Sequence, residues 1–178
     1  MKRFLYLLLA ALLLFSCSPV LTEAEGVIVL SMPDTAEEDP LDLLSDIKIG
    51  TAIDLGDRLI LPYDEKIVRA NSEAQNIYLY VEVTNLAPQK QLFFKDAQVV
   101  VIYTTDRGEY KFGGSVEQGS SSRDFNNAGR VSKEIEPLYV GCYRFRCIVP
   151  NYVIDNPGPI RMEITFGEYT MTWNARTK

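Results

Sequence analysis

The sequence predicts an all-β fold, an antiparallel sandwich of about seven to eight short strands that occupies residues 48–178. Three observations support this prediction. Short runs rich in β-branched and aromatic residues are separated by turn-forming residues, several runs alternate apolar with polar residues, and no long helical period occurs after residue 48.

The strongest predicted strand is "NIYLYVEVTN" at 76–85. Its alternation puts four aliphatic side chains on one face, namely Ile77, Leu79, Val81 and Val83. "DRLILPY" at 57–63 is an earlier strand, and "KDAQVVVIYTT" at 95–105 has the nearly continuous apolar run of a central strand. "DRG" at 106–108 then turns the chain into "EYKFGG".

The later runs alternate as well, and "RVSKEIEPL" at 130–138 does so weakly. The predicted inward-facing sets are Tyr143, Phe145, Cys147 and Val149, then Ile160, Met162, Ile164 and Phe166, and finally Tyr169, Met171 and Trp173. The inward positions change from even to odd numbers at Gly167-Glu168. A two-residue hairpin loop there, with Phe166 opposite Tyr169, explains the change, and a bulge at Gly167 is the alternative.

The strand at 143–149 leaves Arg144 and Arg146 on its outer face. We interpret them as a solvated strand face, and a contact with an acidic partner is the alternative. Cys142 and Cys147 lie in the same run. At about 3.3 Å per residue they are too far apart for a disulfide, and their odd spacing points them to opposite faces. We predict that they are not bonded to each other, and the alternative is a bulge or turn between them that would bring the two sulfur atoms together.

The amino terminus has the form of a secretory signal peptide over residues 1–16. Lys2 and Arg3 precede an apolar run from Phe4 to Phe15. This run is too short for a membrane-spanning helix, which needs roughly 20 apolar residues.

The stretch Leu14-Phe15-Ser16-Cys17 resembles the lipobox of bacterial lipoproteins, although Phe15 is larger than the residue usual there. The resemblance implies that the signal is cut before Cys17 and that lipid is attached to its sulfur, with palmitate-like chains anchoring the protein. It further implies location in the cell envelope, at the outer membrane if the host has one. A soluble secreted protein is the alternative.

Residues 17–47 form an acidic tether, with a candidate edge strand at 26–32. Without residues 1–16 the chain keeps all 24 Asp and Glu but 16 Lys and Arg, the full 18 less Lys2 and Arg3, so its net charge is about −8. Such an acidic chain is a poor ligand for nucleic acid, whose binding depends on Lys and Arg.

Residues 48–170 are similar to the immunoglobulin-like domain of uncharacterised bacterial lipoproteins. The similarity lies in "YLYVEVTNLA", "TTDRGEYKF", "IEPLYVG" and "YRFRCIVP". It implies an immunoglobulin-like sandwich on a lipid anchor, and it supplies no catalytic residues.

The sequence offers little chemistry for catalysis. The chain has no histidine, which excludes histidine-dependent triads. Ser45 and Lys48 match a Ser-x-x-Lys motif, but its partner motifs are missing. We interpret Asp106 and Glu109 as turn chemistry. We interpret the loop at 117–127 as mobile, and a functional loop is the alternative. Its Asp124, Asn126 and Asn127 could supply oxygen atoms for calcium, but the spacing of a calcium-binding EF-hand loop is absent. We therefore predict no catalytic residue, no cofactor and no metal site.

We expect a membrane-anchored, non-enzymatic binding or scaffold module with a protein or glycan partner. The alternatives are a small envelope hydrolase that uses a carboxylate pair and a secreted inhibitor. Ten tyrosines are present. We expect Tyr78, Tyr80, Tyr103, Tyr139 and Tyr143 to be buried or half-buried. Tyrosines that emerge together at a loop end would indicate a carbohydrate or protein contact.

Overall fold

The computed structural model describes residues 44–120 and 124–177, all within the unit Glu37–Lys178. The predicted signal peptide, Cys17 and the candidate edge strand at 26–32 lie outside the described residues.

The described part of the chain forms eight strands and one short helix. They are β1 (Ile53–Asp54), β2 (Arg58–Arg69), β3 (Ala74–Asn85), β4 (Gln98–Thr105), β5 (Gly108–Gln118), β6 (Val140–Pro150), α1 (Asn151–Asp155), β7 (Ile160–Phe166) and β8 (Tyr169–Arg176). The all-β prediction is confirmed.

All strand pairs are antiparallel, and the strands follow the order β1-β2-β3-β6-β5-β4-β7-β8. Strand β5 belongs to both layers of the sandwich. Its first part, Gly108 to Gly113, pairs with β4, and its second part, Gly114 to Gln118, pairs with β6. The sheet therefore curls over at the middle of β5, and the two layers face each other across one core.

Gly114 sits where β5 passes from one layer to the other. A Cβ atom there would lie 2.5 Å from the Arg146 carbonyl oxygen and 2.9 Å from Val99 Cγ1. A Cβ on the preceding Gly113 would meet no atom within 4 Å. The close approach of the two layers at this corner therefore requires glycine at position 114 but not at 113.

The inward-facing sets predicted from alternation are confirmed. All are buried in the common core except Tyr169, which is half-buried at its margin. Trp173 is 4% exposed and lies opposite Met162 of β7. The hairpin is also confirmed, because Phe166 pairs with Tyr169 and Gly167 has a φ of 56°, as the first position of a type II′ turn requires.

The predicted strand at 130–138 is wrong. This segment makes only an isolated bridge between Ile135 and Gln91. The buried side chain of Gln118 explains the difference. Its amide accepts hydrogen bonds from the backbone N–H groups of Ser132 and Lys133 and donates to the Lys133 carbonyl oxygen. These backbone groups thus find a side-chain partner in place of a neighbouring strand.

Three further results concern single positions. Cys142 and Cys147 are both free, as predicted, and both are buried, although only Cys147 was expected to face the core. Tyr139 was expected to be buried or half-buried, but it is 68% exposed because the loop before β6 carries it outward. Leu44 and Ile47 are buried in the core, so packing begins before residue 48.

Candidate binding site: a groove lined by tyrosines

A surface groove of about 780 Å³ lies between the β4–β5 hairpin and the loop that follows α1. We call it the tyrosine groove. Its lining residues are Tyr103, Thr104, Thr105, Asp106, Arg107, Tyr110, Tyr152, Asn156, Pro157, Gly158 and Pro159.

Three tyrosines form the apolar part of this groove. Tyr103 is buried, whereas Tyr110 is 43% and Tyr152 is 46% exposed. The Tyr103 ring centroid lies 6.3 Å from that of Tyr110 and 6.5 Å from that of Tyr152. Tyr110 is the direct cross-strand partner of Tyr103, so their side chains share a face of the sheet. Two partly exposed aromatic rings thus flank a buried third.

The loop from Asn156 to Pro159 is held tightly against β4. The Tyr103 hydroxyl donates to the Pro157 carbonyl oxygen at 2.9 Å, and the Thr104 N–H donates to the Pro159 carbonyl oxygen at 3.0 Å. Gly158 has a φ of 137°, and a Cβ there would lie 2.6 Å from the Thr104 carbonyl oxygen. Only glycine allows this approach, so the groove wall depends on Gly158.

Arg176, at the end of β8, fixes the other side of the same loop. Its guanidinium donates to the backbone carbonyl oxygens of Val153, Ile154, Asn156 and Gly158 at 2.6–3.0 Å. A cation at a helix C-terminus satisfies carbonyl groups that have no partner within the helix. Arg176 is therefore a positioning residue, because it holds α1 and with it Tyr152.

The polar rim of the groove comes from the hairpin turn and the loop. Asp106 and Arg107 form the two-residue turn between Thr105 and Gly108, and both are exposed. The Arg107 N–H donates to Thr105 Oγ1 at 3.2 Å, which fixes this turn. Charged and amide groups at the rim beside aromatic rings are the usual make-up of a site for a polar ligand that has apolar faces.

Asp106 and Glu109 are not brought together as a carboxylate pair. Glu109 forms an ion pair with Arg161 at 3.0 Å, and Asp106 is a turn residue, as the sequence suggested.

Lys48 of the Ser-x-x-Lys motif forms an ion pair with Asp46 at 2.6 Å. Asp124 accepts a hydrogen bond from the Asn126 N–H at 2.9 Å, which is turn geometry. In residues 44–120 and 124–177 no group of three or more Cys, Asp and Glu side chains is placed to hold a metal ion.

Arg144 and Arg146, the two outward-facing arginines of β6, lie on the outer face of β3 and β6, where aromatic rings surround Arg144. The Arg144 guanidinium stacks at 4.8 Å from the ring centroid of Tyr78 and at 5.1 Å from that of Phe125. It also forms an ion pair with Glu117, whose carboxylate lies 3.6 Å from Arg146 as well. Burial is the largest single influence and opposes the charged form, but the hydrogen bonds to Glu117 and Tyr80 and the charge attraction of Glu117 and Tyr78 together raise the pKa of Arg144. Arg144 is thus not the solvated residue expected from the sequence, because its side chain is 18% exposed and stacks on two rings. An acid of the same chain, Glu117, takes the place of the acidic partner that was the alternative.

A second groove, of about 470 Å³, contains two acids and is called the acid groove below. Asp96 and Glu168 both line it, together with Arg58. Asp96 lies two residues after Phe94. The φ of Phe94 is 59°, which is unusual for a residue with a side chain. The Phe94 ring makes edge-to-face contacts with Tyr143, Phe145 and Phe166 at 4.9–5.1 Å, and this packing stabilises the strained backbone.

Sequence reasoning did not single out Tyr110 or Tyr152. One signal was present, because "NPGP" at 156–159 is a strong turn sequence that begins four residues after Tyr152. The position of this turn beside the β4–β5 hairpin depends on tertiary packing, so the sequence alone does not show that the two segments form a groove. Within residues 44–120 and 124–177, no helix is long enough and apolar enough to span a membrane.

No protein-family model and no curated protein matches this chain. Among solved structures, the chain is similar to an uncharacterised β-sandwich protein from Clostridium difficile 630. The TM-score is 0.61 and the identity is 15%, and the alignment covers 82% of this chain and 100% of the other. At this identity the likeness shows the fold alone, and it agrees with an all-β antiparallel sandwich.

Proposed function

We propose that this chain is a lipid-anchored, non-enzymatic binding module of the bacterial cell envelope, and that the tyrosine groove holds its partner. The observation that carries the proposal is the exposure of Tyr110 and Tyr152 beside a wall that Gly158 and Arg176 hold in place. A wall that is already formed lowers the entropy lost on binding.

The chemistry of the groove favours a glycan as the partner. Sugar rings present a face of C–H groups that stacks on aromatic rings and an edge of hydroxyl groups that hydrogen-bonds to carboxylate, guanidinium and amide groups. The tyrosine groove offers both kinds of contact, with Tyr110 and Tyr152 as the rings and Asp106, Arg107 and Asn156 as the polar groups. A protein loop is the alternative partner, and the experiment below separates the two.

The anchor rests on the signal peptide and on Cys17. Two or more acyl chains give stable membrane attachment, so a lipidated Cys17 would keep the module at the membrane surface. The outer membrane is the proposed location if the host has one. The similarity of residues 48–170 to immunoglobulin-like domains of bacterial lipoproteins supports the same assignment. A secreted inhibitor would need no anchor, so loss of lipid at Cys17 without loss of function would favour that alternative.

Affinity capture from the native envelope tests the proposal, with the anchored full chain as bait. We expect Tyr110→Ala and Tyr152→Ala each to lower the amount of captured partner by about tenfold, since an aromatic contact contributes about 1–3 kcal/mol at a binding site. Tyr139→Ala is the matched control, because Tyr139 is more exposed and lies outside the groove.

The treatment of the envelope before capture identifies the class of partner. Glycan-degrading enzymes should abolish capture if the partner is a glycan, and protease should abolish it if the partner is a protein. Equal capture by wild type, Tyr110→Ala and Tyr152→Ala would refute the assignment of the groove.

The acid groove gives one specific reason to keep an envelope hydrolase as the second candidate. Asp96 and Glu168 line the same cavity, and glycoside hydrolysis uses two carboxylates about 5–9.5 Å apart. Release of reducing sugar from envelope glycan by the wild-type chain, and its loss in both Asp96→Asn and Glu168→Gln, would support this candidate. Hydrolysis that persists in both variants, or its absence from the wild type, would reject it.

A further inference from the structure

The second half of β2 is an open sheet edge in the described part of the molecule. Strand β1 pairs only with Leu59 and Ile60, and no described residue forms a ladder with the outer side of 65–69. All five side chains of this stretch are exposed, and Ile67 is 44% exposed. An open edge with an exposed apolar residue can add another strand.

The hydrogen-bond pattern shows which residues of this edge can accept a new strand. The Ala70 N–H donates to the Ala74 carbonyl oxygen at 2.9 Å, so 70 and 74 form a hydrogen-bonded pair. Hydrogen-bonded and non-hydrogen-bonded pairs alternate along an antiparallel ladder. The pairs 68 with 76 and 66 with 78 are therefore also hydrogen-bonded pairs between β2 and β3. Glu65, Ile67 and Arg69 therefore direct their N–H and C=O groups away from β3.

We propose that this edge pairs antiparallel with the same edge of a second copy of the chain. Two-fold symmetry and the outward positions select the register. If Ile67 is opposite its own counterpart, Glu65 of one copy is opposite Arg69 of the other, and all three outward residues are paired. A centre that falls between two residues would set outward groups against inward ones. A centre on 65, 66, 68 or 69 would leave at least one of the three outward residues without an outward partner within 65–69.

The charges of this edge fit that register. Charged side chains on a free edge normally oppose addition of another strand. Here the antiparallel arrangement sets a carboxylate against a guanidinium twice, on the same face as the two Ile67 side chains. In the described residues neither Glu65 nor Arg69 is in an ion pair. The Arg69 Nε–H donates to the Asn71 carbonyl oxygen at 3.0 Å, so its other guanidinium N–H groups are the ones that would meet the carboxylate. Each hydrogen-bonded pair exchanges two bonds, so about six backbone hydrogen bonds would join the copies. One of these in each copy would replace the bond that the Glu65 N–H now donates to Asp64 Oδ1 at 2.9 Å.

Cysteine cross-linking in the full chain tests the dimer. Ile67→Cys places two thiols opposite each other, and mild oxidation should give a disulfide-linked band at twice the chain mass. The matched control is Tyr139→Cys, which is exposed but lies beyond the opposite end of β3, where the Tyr139 carbonyl oxygen accepts from the Asn85 N–H. The unsubstituted chain measures any background from native cysteines, of which Cys142 and Cys147 are buried.

Charge reversal tests the register. Glu65→Arg or Arg69→Glu, each in the Ile67→Cys chain, should lower the cross-linked yield by about tenfold, because two cross-strand pairs become repulsive. Both reversals together should restore the yield. Melting curves confirm that each variant is folded. The proposal is overturned if no dimer band forms, if single reversals do not change the yield, if the double reversal does not restore it, or if the introduced thiol links to a different protein.

Discussion

Replacement of Trp173 by alanine measures how strongly the core depends on the last strand. Removing a buried aromatic side chain costs about 3–5 kcal/mol. Strand β8 is at the edge of the sheet and pairs only with β7 among the described strands, so the site can partly collapse and we expect about 3 kcal/mol. For a domain of this size, 1 kcal/mol corresponds to roughly 2–4 °C, so the melting temperature should fall by about 10 °C.

Circular dichroism melts of the wild type, Trp173→Ala and Trp173→Phe provide the assay. Phenylalanine keeps most of the apolar volume, so Trp173→Phe should lose less than half as much stability as Trp173→Ala. Trp173 is the single tryptophan of the chain, so its fluorescence reports this position alone. Emission like that of tryptophan in water, together with an unchanged melting temperature in Trp173→Ala, would refute the burial of β8.

Four other predictions concern glycine and cysteine positions. Gly114→Ala should lower the free energy of unfolding by about 1–3 kcal/mol in chemical denaturation, because its Cβ would overlap the Arg146 carbonyl oxygen of the neighbouring strand β6, whereas Gly113→Ala should change it far less. Burial raises the pKa of the Cys147 thiol to about 11, so iodoacetamide at pH 8 should label it only after unfolding, and rapid labelling of the native chain would contradict its burial. Mass spectrometry of the unreduced protein should show no bond between Cys142 and Cys147, and a mass lower by two hydrogens would disprove this. Cys17→Ser should move the protein from the membrane to the soluble fraction, and unchanged membrane retention would rule out the lipid anchor.

The sequence predicted the core faces well because alternation is a local property. Each of Ile77, Phe145 and Met162 is buried as its strand pattern indicates, since any strand with one face on the core must alternate. The same logic failed at 130–138. There the alternation is weak, and the partner of the backbone is the Gln118 side chain. No local pattern shows which distant side chain will supply hydrogen bonds.

The candidate site was less predictable than the fold. Tyr110 and Tyr152 are 42 positions apart in the sequence, and they meet only because β4, β5 and α1 reach the same end of the sandwich. Arg176 gave no signal of its role, because a lone arginine near the end of a chain is ordinarily a solvated residue. Its four bonds to backbone carbonyl oxygens depend on the positions of α1 and its loop.

The sharing of β5 between the two layers has a consequence for how the domain unfolds. Neither layer can unfold alone without breaking hydrogen bonds of β5, the strand that also completes the other layer. A partly unfolded state that keeps one layer would therefore lose some of the hydrogen bonds of that layer too. The domain should therefore unfold in a single cooperative transition. Fluorescence of Trp173, which reports the layer of β7 and β8, and amide exchange in β3, which reports the other layer, should give the same free energy of unfolding.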